Sequence, residues 1–512
     1  MNQRFLELFS TQSLRCLWQL VIALLMSLAG VALAQSSASN VVSTTASNSV
    51  AALQSRLLEH ISQPRFAQAH WGVVVASLDT GKILFEHDSD KLMIPASNAK
   101  LFTGALALDR LGADYRIKTS ILAPAKPGIN GEIVGDLVIY GRGDPTLSAR
   151  YHSGNHAKVM QPLVNALADA GIKRIQGDLV GDSTYFQSPP FGDGWAWDDS
   201  VWAYAPVVSA LCLEDNATGI LVKPGKQAGT ACQVITRPNC LVIQNRTLTL
   251  PEGAASTLEL RRSPNQSEIW ITGGLPVGGS SYSEAFAVPN PPLWFMTELE
   301  HALAQRGIVV AGRTRIIDTR DSASSNLVEI AHVLSPPLRE IVKETLKSSQ
   351  NLGAQLLFLQ TGAFVSGNKG QSAERAAQAE MRKFLRDLGI KPGTVYLKEG
   401  TGLSSACQVA PTAAVGLLTA MTRHKNADAF VDSLPISSVD GTLADRFKGT
   451  IAEKRIRAKT GTKEFISAIS GYAVTLSNER LVFSVMLNSY KDPSGTHTPR
   501  EETDALVRML VQ

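Results

Sequence analysis

The sequence is poor in the residues that mark several common protein classes. Its 512 residues hold five cysteines, 6% aromatic residues and 18% charged residues. No C-x-x-C pair occurs, so the cysteines show no metal-type spacing. There is no H-E-x-x-H for a zinc peptidase and no G-x-S-x-G elbow for a Ser-His-Asp hydrolase. His152 and His156 lie four residues apart, but no third ligand follows, so no metal site is read there. Basic and acidic residues nearly balance, 49 against 45, for a net charge of +4. Without a basic run or stripe, nothing points to a nucleic-acid partner.

What is present is a 44% hydrophobic chain, too apolar for bulk disorder and long enough for two or three domains. Arg4 and Arg15 precede an apolar run over 17–33 that ends in Ala32-Leu33-Ala34. A basic start, an apolar core and an A-x-A site read as a secretory signal, residues 1–34, cleaved before Gln35. If it is retained, the run is nearly long enough to anchor the chain in a membrane. Residues 35–50 are a Ser/Thr-rich linker with little to bury. Beyond it the expected compartment is periplasmic or extracytoplasmic. Cys232 and Cys240 flank VITRPN, and in an oxidising compartment they are either a disulfide or two separate buried thiols. Cys212 and Cys407 are too far apart in sequence to judge.

Residues from His70 read as strand, Asp79-Thr80-Gly81 turn, strand. IPASNAKLFTGALALDRLG then reads as a helix that starts near Ser97 and stops at Gly112. From 118 to 290 short segments such as EIVGDLVIYG, GILVKPG, LVIQN, TLEL and EIWITGG alternate with turn residues, a β-rich signature. Gly-Asp-Leu-Val occurs at 135–138 and again at 177–180, a short echo and not a repeat array. Helical period returns in FMTELEHALAQRG, LREIVKETLKSSQNLGAQLLFLQTGAF and QSAERAAQAEMRKFLRDLG. The strands ISAISGYAV and RLVFSVMLNSY and a closing amphipathic helix end the chain. The expected fold is α/β (α+β), with one domain over 51–117 and 291–512 split by a β-rich insertion over 118–290.

Ser97-Asn-Ala-Lys100 at a helix start has a physical logic. One helical turn puts Lys100 on the face of Ser97, and the helix N-terminus favours developing negative charge. A lysine serves as base only when burial or a neighbouring cation lowers its pKa. A second Ser-x-x-Lys, Ser366 to Lys369, sits in a Gly/Asn-rich loop without a helix to orient it. Ser-x-Asn recurs often; Ser349-Gln350-Asn351 stands out beside a strongly apolar helix, where a cap or kink is the plain alternative. Lys459-Thr460-Gly461 occurs once, a cation and hydroxyl next to a strand glycine, suited to a terminal carboxylate.

In this order the three motifs resemble the serine penicillin-recognising enzymes. The long gap from Ser97 to Ser349, with YGRGDPTLS, GDSTYF, GWAWDDSVWAYAPVVSAL, EGTGLS and DGTLADR, is similar to the D-Ala-D-Ala carboxypeptidase/endopeptidase family, the class C low-molecular-mass penicillin-binding proteins. The resemblance runs from about residue 60 to the C-terminus. It implies a β-lactamase/transpeptidase-like domain, an antiparallel sheet flanked by helices, and an acyl-enzyme on Ser97. By the same resemblance Lys100 is its base and Ser349 relays a proton to the leaving amine. The N–H groups of Ser97 and Thr462 form the oxyanion hole. Lys459 and Thr460 hold the terminal carboxylate, Asn351 a peptide carbonyl, and Asp144 the amino end of a diaminopimelate side chain. The implied partners are stem peptides ending in D-Ala-D-Ala and, as inhibitors, β-lactams; no cofactor is called for. Ser405-Ala406-Cys407 departs from the Arg/Asn string that often follows EGTGLS, so a polar group near the cleft is absent or supplied elsewhere. A β-lactamase-like hydrolase and a non-catalytic penicillin-binding sensor are the competing readings. Trp195, Trp197 and Trp202 suggest a glycan platform or, as the expectation, burial between domains.

Overall fold

The computed structural model describes residues 50–237, 240–263, 266–317, 326–367 and 372–512. The signal over 1–34, the linker up to residue 49 and Lys369 of the second Ser-x-x-Lys lie outside the described residues. The chain divides into two compact units, 1–63 with Gln512, and 64–511. In the first, VAALQSRLLEHI forms the helix Val50–Ile61. Everything below concerns the second.

Its principal sheet has five antiparallel strands in the order Ile456–Lys463, Ile466–Val474, Arg480–Asn488, His70–Ser77 and Ile83–His87. The two ends of the chain therefore close one sheet, with His70 opposite Asn488 and Ser77 opposite Leu481. WGVVVAS, ISAISGYA and LVFSVMLN are buried almost without interruption. Such continuous apolar runs are what a strand covered on both faces requires. One face carries a helical layer built on Ala99–Arg110, Leu338–Lys347, Asn351–Ser366, Ala373–Asp387 and Pro411–Met421. Phe102, Val342, Phe358, Phe384 and Leu417 of these helices share one core with Val74, Val482 and Met486 of the sheet. The C-terminal helix Pro499–Leu510 also packs against the sheet, through a Thr498/Glu501 capping box and buried Leu506, Val507 and Leu510.

Among the described residues, five further sheets lie between these halves in sequence. The largest has the order Thr314–Ile317, Leu179–Asp182, Leu137–Tyr140, Lys118–Ala123 and Val328–Leu334. The two Gly-Asp-Leu-Val echoes are neighbours in it, parallel, with Leu137 opposite Leu179. Their Asp136 and Asp178 both receive the Arg315 guanidinium, each at 2.8 Å. The expected break at 290 is not a break in pairing. Val309–Val310 pairs with Arg174–Ile175, Thr314–Ile317 with Leu179–Asp182, and Val328–Leu334 with Lys118–Ala123. The helix Pro291–Arg306 buries Trp294, Phe295 and Leu299 in the core of the same region. Strand pairing with the segment over 118–290 thus continues as far as Leu334.

The helical spacing over 338–364 is two helices, parted at Ser348–Gln350, where Ser349 adopts a left-handed φ of 60° and Gln350 is the cap, as the plain alternative for that triplet has it. One further expectation changes. The tryptophans do not share one burial role: Trp202 stacks on Phe286 at 5.1 Å, Trp195 is half-buried, and Trp197 is 75% exposed. Cys232 and Cys240 are separate buried thiols, the former facing Thr249 and the latter donating to the Arg237 carbonyl.

Candidate active site

Ser97 lies in the short turn Ala96–Asn98 that leads directly into the helix Ala99–Arg110. Ala96 is left-handed at φ 45°, a conformation that costs a residue with a Cβ on the order of 1 kcal/mol or more. Ser349, on the opposite side of the site, is held in the same region. Both serines are thus presented by backbone that surrounding packing must over-determine.

The Lys100 ammonium is fully buried and donates to Ser97 Oγ at 2.8 Å and to the Thr401 carbonyl at 2.9 Å. Burial lowers its pKa to about 7, against the opposing pull of the Glu399 carboxylate. Lys459, also fully buried, donates to Ser349 Oγ and to the Thr460 carbonyl, both at 2.8 Å. Burial, then the nearby Lys100 and Arg446 charges, hold it well below the ordinary ammonium range. Two Ser–Lys pairs therefore face one another across the cleft, each lysine without an ion-pair partner among the described residues.

The third wall is the strand Ile456–Lys463. A Cβ on Gly461 would lie 2.5 Å from the Pro95 carbonyl and 3.0 Å from Ser97 N, so only glycine lets this strand approach the serine turn. Thr462, exposed, is the next residue of this strand. Thr460 Oγ1 donates to Thr442 Oγ1 at 2.7 Å, in the DGTLADR segment. Gln350 caps the helix Asn351–Ser366 by accepting from Gly353 N. Asn351, on its first turn, donates to the Tyr204 carbonyl at 2.6 Å. The structure thus gathers Ser97, Lys100, Ser349, Asn351, Lys459, Thr460 and Thr462 from three distant segments.

Asp144 stands apart. It is buried, its carboxylate engaged by the N–H and hydroxyl of Thr146, and burial pushes its pKa up to about 6. Ser366 ends the Asn351–Ser366 helix, far along it from Ser349. Among the described residues no cluster of His, Cys, Asp and Glu suits a metal ion; His156 instead contacts Glu214 at 2.6 Å.

Sequence reading missed several contributors. Glu399 of EGTGLS is fully buried and accepts from the N–H groups of Thr401 and Gly402, shaping the loop that offers Thr401 O to Lys100. Asn98 donates to Ser470, and Ser470 to Ser484, a buried polar seam beneath the serine turn. At the Ser405-Ala406-Cys407 departure a cation comes from Lys463, which donates to Leu403 O at 2.7 Å and Ser405 Oγ at 2.8 Å. The strings were visible, but which atom met which was not.

An antiparallel sheet with a helical layer, carrying paired Ser–Lys groups against a K-T-G strand, defines a serine hydrolase of the penicillin-recognising class. Residues 53–512 match the D-Ala-D-Ala carboxypeptidase 3 (S13) family, and the chain belongs to it. It is a serine-type D-Ala-D-Ala carboxypeptidase. A D-alanyl-D-alanine carboxypeptidase of Actinomadura sp. is 32% identical over 468 residues, covering 88% of this chain and 83% of that protein. The D-alanyl-D-alanine carboxypeptidase DacB of Haemophilus influenzae is 25% identical over 425 residues, covering 82% of this chain and 85% of that protein. The crystal structure of penicillin binding protein 4 from Haemophilus influenzae shares the fold, with a TM-score of 0.74 at 24% identity, covering 89% of this chain and 97% of that one.

Proposed function

We propose that this chain cleaves after a D-alanyl residue of peptidoglycan stem peptides through an acyl-enzyme on Ser97. The observation that supports it most is the buried Lys100, 2.8 Å from Ser97 Oγ and with a pKa lowered to about 7. Near neutral pH a large share of this amine is unprotonated and takes the Ser97 proton as Oγ attacks the carbonyl of the penultimate D-alanine. The N–H groups of Ser97 and Thr462 receive the oxyanion. On collapse the C–N bond breaks, and Ser349, in contact with Lys459, passes a proton to the departing amine. Water then cleaves the ester and restores Ser97. A β-lactam acylates the same serine.

Lys459 has no solvent-facing surface and its Nζ already meets Ser349 and Thr460 O. Its part in carboxylate binding is therefore electrostatic, with the Thr460 and Thr462 hydroxyls making the contacts. Asn351 orients a peptide carbonyl. For the amino end of a diaminopimelate side chain the geometry favours Asp199 over Asp144: Asp199 accepts from the Tyr204 hydroxyl at 2.7 Å, in the loop whose Tyr204 carbonyl meets Asn351. The β-rich segment of the catalytic unit is assigned to 118–334. Export through residues 1–34 places the enzyme outside the cytoplasm. No helix among the described residues is long and apolar enough to cross a membrane.

The test is D-alanine release from a diaminopimelate-type pentapeptide by wild type and Ser97→Ala. Release by wild type that vanishes in the variant is expected. Release that persists in folded Ser97→Ala would discard the nucleophile.

A further inference from the structure

Gln355 and Glu374 make no contact with Ser97, Lys100 or the cleft, yet both are buried polar side chains in the helical layer, 1% and 6% exposed. Burying such groups is costly unless each is fully engaged. Gln355 is: its Nε2 donates to Glu374 Oε1 at 2.8 Å, and its Oε1 accepts from Gly400 N at 2.8 Å. The Gly400 carbonyl accepts from Thr103 Oγ1 at 2.7 Å. Gly400 is thus clamped through both backbone groups, and the next carbonyl along, Thr401 O, is the acceptor for Lys100 Nζ. A Cβ at Gly400 would lie 2.7 Å from the Ala354 carbonyl, so the loop sits directly on the helix that carries Gln355.

The clamp has an outer end. Glu374 Oε1 also accepts from Asp193 N at 3.3 Å, in a loop of the β-rich segment. A Cβ on Gly194 of that loop would lie 2.3 Å from Ser404 Oγ. One chain of contacts runs from this loop through Glu374, Gln355 and Gly400 to the amine of Lys100.

The chemistry says what this is for. A neutral amine has two N–H bonds and one lone pair. To act as base, its lone pair must face Ser97 Oγ, which happens only if an N–H is fixed elsewhere. Thr401 O is that fixed point. We propose that Gln355 is a positioning residue for the reaction, setting the orientation of the Lys100 amine through the Gly400–Thr401 backbone, with Glu374 as its anchor. The inference rests on the reading of Lys100 as the base of Ser97. Gln355 touches no substrate, so its loss acts on the acyl-transfer step and not on binding.

The experiment measures kcat and KM for D-alanine release, and the rate of penicillin acylation, at pH 8. Gln355→Leu should lower kcat and acylation roughly 10- to 100-fold, the range for a misplaced catalytic group, with KM within about twofold. Glu374→Gln keeps an oxygen for both donors and should stay within about threefold of wild type. Gln355→Glu alone sets two carboxylates against each other and should be impaired. The swap Gln355→Glu with Glu374→Gln restores both bonds, and recovery to within about threefold of wild type is expected. An unchanged kcat in folded Gln355→Leu overturns the proposal, as does a rise in KM alone. If Gln355→Leu does not fold, the swap decides: failure to recover over Gln355→Glu overturns it. Ser97→Ala, run alongside, separates this from the nucleophile assignment, because its persistence would sink that reading whatever Gln355 does.

Discussion

The principal sheet region and the β-rich segment differ in where their lysines and arginines sit: the first buries two lysines with no carboxylate in contact, the second keeps most of its ion pairs near solvent. In the sheet region, strands such as Ile466–Val474 are buried along nearly their whole length. There the chain places two ammonium groups, Lys100 and Lys459, with hydroxyls and carbonyls as partners but no carboxylate in contact. In the segment we assign to 118–334, strands such as Gln233–Thr236 and Glu259–Arg262 have no fully buried residue. Its charges are mostly paired: Arg315 with Asp136 and Asp178, Lys118 with Glu329, Arg150 with Asp215 and Glu344. Pairing near solvent contributes little but costs little, whereas an unpaired buried charge is tolerated only where a shifted pKa is useful. Burial in the sheet region is what lowers the Lys100 pKa to about 7.

The contrast can be broken most directly at Lys100. Lys100→Met removes the base while filling the same space, and acylation by penicillin should fall at least about 100-fold. In wild type the acylation rate should rise with pH through about 7, as the amine loses its proton. A flat profile between pH 5.5 and 8.5 would show that burial does not tune this lysine.

Packing gives the next largest effect. Phe483 is fully buried in the principal sheet, and Phe483→Ala should cost about 3–5 kcal/mol by chemical denaturation. Ile235, 40% exposed in the β-rich segment, should lose under about 0.5 kcal/mol as Ile235→Ala. Equal losses at the two sites would erase the distinction between the regions.

Asp144 sharpens the comparison from the other side, being a buried carboxylate of the β-rich segment whose partners are a hydroxyl and an N–H. Its folded pKa of about 6 lies above the ordinary 3.8, so the folded state holds the proton more tightly. Stability at this position is therefore lost as pH rises from about 4 to 6, and the cost persists above. Asp144→Asn, which keeps an acceptor for Thr146, should stabilise by on the order of 2 kcal/mol at pH 7.5 and have little effect at pH 4. Equal effects at both pH values would show that ionisation is not what Asp144 costs.

Some of this was written locally. The strands at 217–223, 242–245, 259–262 and 268–272 follow from alternation and turn residues, and Ser97 with Lys100 follows from one turn of helix. Where patterns failed, a long-range partner decided. The polar triplet Ser349-Gln350-Asn351 signals a cap or kink, but its contact with Lys459, 110 residues away, is not legible in it. Strand pairing carries the β-rich segment past 290, since Val328–Leu334 finds its partner near residue 120.

The amino-acid sequence by itself determined the family, the three motifs and the Ser97–Lys100 contact, because residues one helical turn apart meet on one face. Only the tertiary structure decided the lysine's protonation, the Lys459–Ser349 contact and the Gln355–Gly400 clamp. Those depend on burial and on hydrogen bonds between segments 45 to 301 residues apart, which no local pattern encodes.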